Sequence, residues 1–422
     1  MHGGADGQLG PVLASLLEAS HRAGPRDVPG LLWRAARRLG LTHVWIYLAD
    51  VQQEQLVALP APEAGREVLP GAPHGQGVLD IDRSLAGRAY RTEKLQLGSG
   101  ADGTAAGPGE RTGEEEGAEV GWLPLIDGIG RIGVLRVAAP VLDGPALARC
   151  RALASVAAVM IATKAPFSDV LVQTMRSRPM TLQAELLWAF VPPRTIGTRA
   201  VTSSAVLEPA YDVGGDAFDH NLSGHSLHLT LVDAMGHDLA SGGCSAVALA
   251  ACRSTRRAGG TLPDIAEAID TSLARWIPDR MLTCVVGDLD TGTGRLQWIN
   301  CGHPAPLLVR DRHIVDGALD RHPHPPLGLP PGLHRPRPPV HTAQLEPGDQ
   351  ILIHSDGVLE PSRGGGELFG EDRLAATVSR AMADGLPAPE ALRRLMQAIL
   401  AHQGARLRDD ATIMLVEWHP GR

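Results

Sequence analysis

Tyr211-Asp212-Val213-Gly214-Gly215-Asp216 opens a series of four short acidic segments that runs through the second half of the chain. The others are Val232-Asp233-Ala234-Met235-Gly236-His237, His354-Ser355-Asp356-Gly357 and Arg408-Asp409-Asp410-Ala411-Thr412. Each sets a carboxylate at the end of an apolar run or inside a glycine turn. Taken singly, Gly-Gly-Asp and Asp-Gly are ordinary turn chemistry. Four in order, each beside a run that reads as a buried strand, carry more weight. Carboxylates gathered from distant points repel one another and are costly to desolvate unless a cation lies between them. An all-oxygen donor set favours Mg²⁺ or Mn²⁺ over zinc or copper. A paired-metal site of that kind suits hydrolysis of a phosphate ester.

Working outward from Asp233 and Asp356, residues 194–419 read as many strands with helices in blocks. Strands are expected over 200–206, 226–233, 284–290, 295–299, 305–309, 350–354 and 412–418. Helices are expected over 241–257, 262–275, 371–383 and 389–402. Neighbouring strands on short connections with grouped helices define an α+β layered domain.

Residues 10–165 form a separate α/β unit. Helical apolar spacing over 12–19 and 28–39 precedes strands at 42–48 (THVWIYL) and 55–59. A short helix at 84–91, strands at 120–126 and 131–138, and a helix at 144–164 complete it. Gly98 to Glu119, rich in Gly, Ala and Glu, reads as a flexible loop. Residues 166–193 read as a linker helix, with Val170, Leu171, Met175, Leu182, Leu186 and Leu187 at helical spacing. Pro179 is expected to kink or split it and Pro192-Pro193 to end it. Two readings stay open for this segment: a signalling helix paired with its copy in a dimer, or an amphipathic linker packed on its own domain.

The chain has 422 residues, 44% of them hydrophobic, enough for a core in each of two or three domains. A formal charge of −8 argues against a general nucleic-acid binder. The five cysteines, Cys150, Cys244, Cys252, Cys284 and Cys301, are scattered and include no Cys-x-x-Cys pair, which fits buried free thiols in a reducing compartment. The N-terminus shows no secretory leader, and the longest apolar stretch, Ala152 to Ala162, is too short to span a bilayer. The expectation is a cytoplasmic protein without membrane or nucleic-acid partners.

Two resemblances sharpen this reading. Trp45-Ile46-Tyr47-Leu48, the segment Ser84 to Tyr90 (SLAGRAY), Trp122-Leu123-Pro124-Leu125 and Ile132-Gly133-Val134-Leu135 give the first 165 residues the order of a GAF domain. That likeness implies a sensory or dimerising role, with an unidentified small ligand and a homodimer as the expectation. The second half resembles a PPM/PP2C-type protein phosphatase of the SpoIIE subgroup. It does so at Tyr211 to Phe218, Leu231 to His237, Asn300 to Pro306, Pro326 to Leu329, Pro347-Gly348-Asp349, Ser355 to Glu360 and Arg408 to Thr412. Phe369, within Glu367 to Gly370, fits an aromatic position of that family. The implied fold is an α-β-β-α sandwich.

The resemblance implies that Asp216, Asp233, Asp356 and Asp409 bind two Mn²⁺ or Mg²⁺ ions, with the backbone carbonyl of Ala234 as a further donor. Gly215, Asp410 and Asp219 are weaker candidates, nearer to supporting groups than to ligands, as is Glu360. It also implies attack on phosphorus by a metal-activated water, without a phosphoenzyme. His237 and His303 lie near the motifs, and either is placed to protonate the leaving oxygen. The plainer reading, two hydrogen-bonded turn residues, is preferred, and His237 is the catalytic candidate kept. His322 and His324 read as loop residues and not a metal site. Asn300 and Gly302 read as turn formers. Asp238 stands where the family more often has glycine, an added carboxylate that bears on metal affinity or substrate access. Cys301 replaces a usual small alanine.

The function so implied is a GAF-regulated, metal-dependent serine/threonine protein phosphatase. Its implied substrate is a phosphorylated STAS-type anti-anti-sigma factor. The alternatives are a signalling scaffold that binds phosphoprotein without turnover, and a small-molecule phosphatase or a GAF-driven nucleotide sensor with incidental hydrolysis; the acidic composition and the lack of a P-loop count against nucleotide hydrolysis.

Overall fold

The computed structural model describes residues 6–60, 77–99, 118–330, 336–359, 369–404, 407 and 409–420. The interior of the Gly98 to Glu119 loop, Glu360, Glu367-Leu368 and Arg408 lie outside them. The chain divides into two compact units between Arg178 and Pro179.

The N-terminal unit begins with helices α1 (Asp6–Arg22) and α2 (Val28–Arg38). Strands β1 (His43–Ala49), β2 (Gln55–Ala58) and β3 (Val78–Asp80) follow, then helix α3 (Leu85–Thr92), capped by the Ser84 hydroxyl. Strands β4 (Gln96–Ser99), β5 (Glu119–Asp127) and β6 (Gly130–Ala139) lead to helix α4 (Gly144–Lys164), capped by Asp143. The strands form one antiparallel sheet in the order β3-β2-β1-β6-β5-β4. The sequence pattern missed β3 and β4, which are only three and four residues long. Its core joins Leu32, Ile46, Leu48, Leu123, Leu135, Leu153 and Ile161.

The apolar run over Ala152 to Ala162, read from sequence as too short to span a bilayer, belongs to a longer helical stretch. Residues 144–167 are long and apolar enough by length and composition to cross a membrane. Here α4 contributes Cys150, Leu153, Ala157 and Ile161 to the core of its unit.

Residues 166–193 are two helices rather than one. Helix α5 (Asp169–Thr174) buries Leu171 in the N-terminal core, and helix α6 (Leu182–Phe190) buries Ala184 and Leu187 in the C-terminal core. Pro179 lies in the break, as expected of a residue that cannot continue the helical hydrogen-bond ladder.

The C-terminal unit continues with β7 (Thr195–Gly197), β8 (Val201–Glu208), β9 (Asp216–Ser223), β10 (Ser226–Ala234), α7 (Leu239–Arg257), α8 (Leu262–Trp276), β11 (Leu282–Asp290) and β12 (Arg295–Cys301). Then come β13 (Leu307–Arg310), β14 (His313–Ile314), β15 (His341–Gln344), β16 (Gln350–His354), α9 (Glu371–Ala383), α10 (Ala388–His402) and β17 (Ala411–Trp418). One sheet has the order β15-β12-β11-β10-β9 and the other β14-β13-β16-β17-β8-β7.

Strand alternation sorts the side chains into layers. In β17, Met414 and Val416 join the core shared with the five-stranded sheet, while Ile413 and Leu415 join the core under α9 and α10. Leu249, Ile265, Ile269 and Leu273 bring α7 and α8 onto the outer face of the five-stranded sheet. The result is an α-β-β-α sandwich.

Strand β9 escaped the sequence reading because it is polar: Asp216, Asp219 and His220 are all buried. Close backbone approach fixes several glycines. A Cβ at Gly133 would overlap the Tyr47 carbonyl oxygen across the β1–β6 pair. Gly133→Ala is therefore expected to cost roughly 1–3 kcal/mol in a denaturant melt. Gly144→Ala, where a Cβ meets nothing, should stay within about 0.5 kcal/mol.

Candidate active site

Asp216 is the first residue of β9 and is paired in register with Asp233 on β10, which puts two carboxylates at one end of the five-stranded sheet. Asp356 follows β16, and Asp409-Asp410 precede β17. Those strands are antiparallel neighbours with His354 opposite Ile413, so their carboxylates share one end of the six-stranded sheet.

The two ends are joined by Asp410. Its Oδ2 accepts hydrogen bonds from the backbone N–H groups of Gly214 (2.9 Å), Gly215 (2.7 Å) and Asp216 (3.2 Å). The glycines are needed for that approach: a Cβ at Gly214 would overlap the His237 backbone, and one at Gly215 the Ala234 carbonyl oxygen. Gly357, after Asp356, faces the Asp410 carbonyl oxygen in the same way. The Ser245 hydroxyl on α7 donates to the Gly215 carbonyl from the opposite side.

The electrostatics of this cluster are unfavourable to its own charges. Asp216 is buried, and its Oδ2 has no hydrogen-bond partner. Burial, then the charges of Asp233 and Asp410, push its carboxyl well above the usual carboxylate range, while the Ser355 and Thr412 hydroxyls pull the other way. Asp233 is pushed up to about 7 by burial and then by Asp356, Asp409 and Asp410. Asp410 is also raised: burial and Asp409 outweigh its three backbone donors. Asp356 and Asp409 are exposed.

Among the described residues, no three His, Cys, Asp or Glu side chains stand preassembled around one point. The donor set nonetheless fits a hard divalent cation. It is all oxygen, it carries excess negative charge, and it includes one buried carboxylate oxygen without a partner. Ala234 ends β10 with its carbonyl against Gly215, at the same end of the sheet.

The other candidates separate clearly. Asp219 is held by two guanidiniums, Arg253 (2.7 Å) and Arg256 (2.8 Å), whose hydrogen bonds lower its carboxyl in spite of burial. It anchors α7 to β9 and is not a metal candidate in this arrangement. Gly215 serves through its backbone, as described. Asp238, the departure from the family pattern, caps α7: its Oδ1 accepts from the Ser241 N–H (2.9 Å) and hydroxyl (2.8 Å), and its Oδ2 pairs with Arg280 (2.8 Å). Its carboxylate is thus committed to the helix start.

His237 is exposed at the turn after β10. His303 is buried, with Nδ1 2.8 Å from the Thr283 hydroxyl. Burial and then His354 lower its imidazole to about 3, which removes it as a proton donor. The Asn300 side chain spans the His303 backbone N–H (2.9 Å) and carbonyl (2.8 Å), as a turn former does. Gly302 has φ +76° in the same turn. His324 contacts the Pro325 and Pro336 carbonyls, and His322 is exposed. Asp349 pairs through both oxygens with Arg310, and Phe369 packs edge-on to His402. The sequence reading missed Ser245, Ser355 and Thr412. The last two lie inside the acidic motifs, one residue from Asp356 and two from Asp410, and that adjacency was the available signal.

This layered fold carries acidic residues at one end of each of its two sheets. Residues 223–419, within the C-terminal unit, match the family model of Stage II sporulation protein E. Asp233, Asp356, Asp409 and Asp410 fall inside that match, and Asp216 precedes it.

Similar solved structures include the RsbU and RsbW domains of a Mycobacterium tuberculosis protein, with 24% identity and TM-score 0.45 over 54% of this chain and 63% of that one. The SiaA PP2C domain of Pseudomonas aeruginosa has 19% identity and TM-score 0.46 over 56% of this chain and 94% of that one. The PP2C domain with a regulatory fragment of SpoIIE from Bacillus subtilis has 17% identity and TM-score 0.42, over 53% and 64%. The chain thus spans less than two thirds of the first and third of these. At such scores none of the three bears on what this chain does.

Two outcomes test the site's architecture. Asp410→Ala strands three backbone donors and should cost on the order of 3 kcal/mol in a denaturant melt. Asp238 has its carboxyl lowered to about 2, by the Ser241 N–H, the Ser241 hydroxyl and Arg280. Its contribution to stability is therefore full above pH about 4 and is lost as pH falls toward 2. The stability gap between the protein and Asp238→Ala should shrink over that window, as followed by thermal melts.

Proposed function

We propose that the chain is a metal-dependent serine/threonine protein phosphatase whose Asp216, Asp233, Asp356 and Asp409, with the Ala234 carbonyl, hold two Mn²⁺ or Mg²⁺ ions. One observation carries the reading: a buried, partnerless carboxylate oxygen on Asp216 within the field of Asp233 and Asp410. A divalent cation offsets that charge. When bound, such ions lower the pKa of water and neutralise phosphoryl oxygens. The protein's own part is positional. Asp410 fixes the Gly214-Gly215-Asp216 turn, Ser245 holds it from behind, and exposed His237 is the group available to protonate a leaving serine or threonine oxygen.

By resemblance, the substrate is a phosphorylated STAS-type anti-anti-sigma factor. The N-terminal unit is a GAF-like regulator with a small ligand, and the protein acts as a cytoplasmic homodimer. A second reading, a scaffold that binds phosphoprotein without turnover, draws on the absence of a preassembled three-ligand group among the described residues.

The full-length protein is assayed on an aryl phosphate and on a phosphoserine protein with Mn²⁺, Mg²⁺ or EDTA. Turnover should require metal and fall more than about 100-fold in Asp356→Asn. His237→Ala should lose about tenfold or more on the phosphoserine substrate and far less on the aryl phosphate, whose leaving group needs no proton. Binding of the phosphoprotein without hydrolysis at saturating Mn²⁺ would favour the scaffold.

A further inference from the structure

On the helix side of the five-stranded sheet, away from the carboxylates, lies a second group of reactive side chains. His228 on β10 sits with Nδ1 2.8 Å from Asp288 Oδ1 on β11. Its Nε2 is 2.9 Å from the Thr230 hydroxyl and 3.3 Å from the Cys252 thiol of α7. The Thr230 hydroxyl is itself 3.4 Å from that thiol. A thiol, an imidazole and a carboxylate are thus in line, as in sites where imidazole takes a thiol proton and a carboxylate fixes the ring.

The sheet register extends the group. Cys252 touches His228 and Thr230, so the even-numbered positions of β10 face α7. His228 pairs with Asp288, Thr230 with Val286 and Val232 with Cys284, which places Cys284 on that face too. The β11–β12 register, with Val285 opposite Asn300, sets Cys301 across from Cys284. All three cysteines are buried, whereas the Asp288 side chain is 41% exposed, so the line of groups runs from the surface to the thiol.

The charge state of His228 supports the arrangement. Burial alone would lower its pKa, but Asp288 and Cys252 outweigh burial and raise it to about 9. By contrast Cys244, on the same helix, has no imidazole among its interactions, and burial pushes its thiol up to about 11.

We propose that Cys252 is a peroxide-oxidisable thiol, activated by His228 and resolved by Cys284 into a disulfide that ties α7 to β11. In the first step the Cys252 proton leaves to solvent, and the thiolate, paired with the His228 imidazolium, attacks hydrogen peroxide. The O–O bond breaks, and the leaving hydroxide departs as water with the imidazole's proton. This leaves a sulfenic acid: the thiol loses two electrons and the peroxide gains them. In the second step the Cys284 sulfur attacks the sulfenic sulfur, the S–O bond breaks, and the Cys284 proton leaves with that oxygen as a second water. Hydrogen peroxide is close to water in size and needs little opening of the helix layer to enter. Asp288 and His228 are positioning and proton-handling groups for this chemistry and belong to no step of phosphate hydrolysis.

The test treats the reduced full-length protein with hydrogen peroxide and follows each cysteine by mass spectrometry of trapped sulfenic acid and cross-linked peptides. Cys252 should react about tenfold or more faster than Cys244, and Cys252 should be joined to Cys284. Cys252→Ser should abolish the link. Asp288→Asn, at an exposed carboxylate, keeps the test valid if Cys252→Ser does not fold. It should slow Cys252 oxidation about tenfold while leaving the melting temperature and the Cys244 rate unchanged. Oxidation of Cys252 no faster than Cys244, a link joining Cys284 to Cys301 without Cys252, or an Asp288→Asn variant that oxidises at the unchanged rate would each overturn the proposal.

Discussion

One buried carboxylate, that of Asp410, holds together the two ends of the sandwich that form the candidate site. Its Oδ2 collects the N–H groups of Gly214, Gly215 and Asp216 from the five-stranded sheet while its own backbone leads into β17 of the other. Hydrogen bonds to an ionised acceptor are among the stronger ones in proteins. They act here on a turn that only glycine can make, since side chains at Gly214 or Gly215 would overlap the His237 and Ala234 backbones. Asp216, Asp233 and Ala234 are placed by the same constraint, because the β9–β10 pair starts from that turn.

The fold then concentrates negative charge where it is least comfortable. The raised carboxyls of Asp216 and Asp233 are the cost of gathering acidic groups at the ends of two buried sheets. Charges elsewhere in the same unit are treated differently. Asp219 receives two arginines and Asp349 one, and both are satisfied anchors. The contrast between paired and unpaired buried carboxylates separates the structural acids from the candidate site. Asp238, although exposed, is also a satisfied structural acid, because the Ser241 N–H and Arg280 claim its oxygens.

Much of this was legible in the sequence. Apolar alternation announced β8, β10, β16 and β17, and helical spacing announced α7 to α10, because those elements bury one face and expose or pack the other. The acidic motifs were visible because each follows or precedes such a run. Strand β9 was not, since Asp216, Asp219 and His220 are polar residues buried by partners that come from elsewhere: Arg253, Arg256, Ser203 and the Pro193 carbonyl. The same limit hid the pairing of Asp238 with Arg280 and the tie made by Asp410, which depend on contacts 42 and about 195 residues away in sequence. Local pattern shows which apolar residues are buried; it shows neither the buried polar residues nor what satisfies them.

The central claim is that the acidic sheet ends form a divalent-cation site, and calorimetric titration of Mn²⁺ into the full-length protein tests it directly, beside Asp216→Asn. The account predicts saturable binding to the protein and its loss or marked weakening in the variant, since Asp216 supplies the buried oxygen that lacks a partner. Equal Mn²⁺ binding by both proteins, or none by the folded protein, would contradict it.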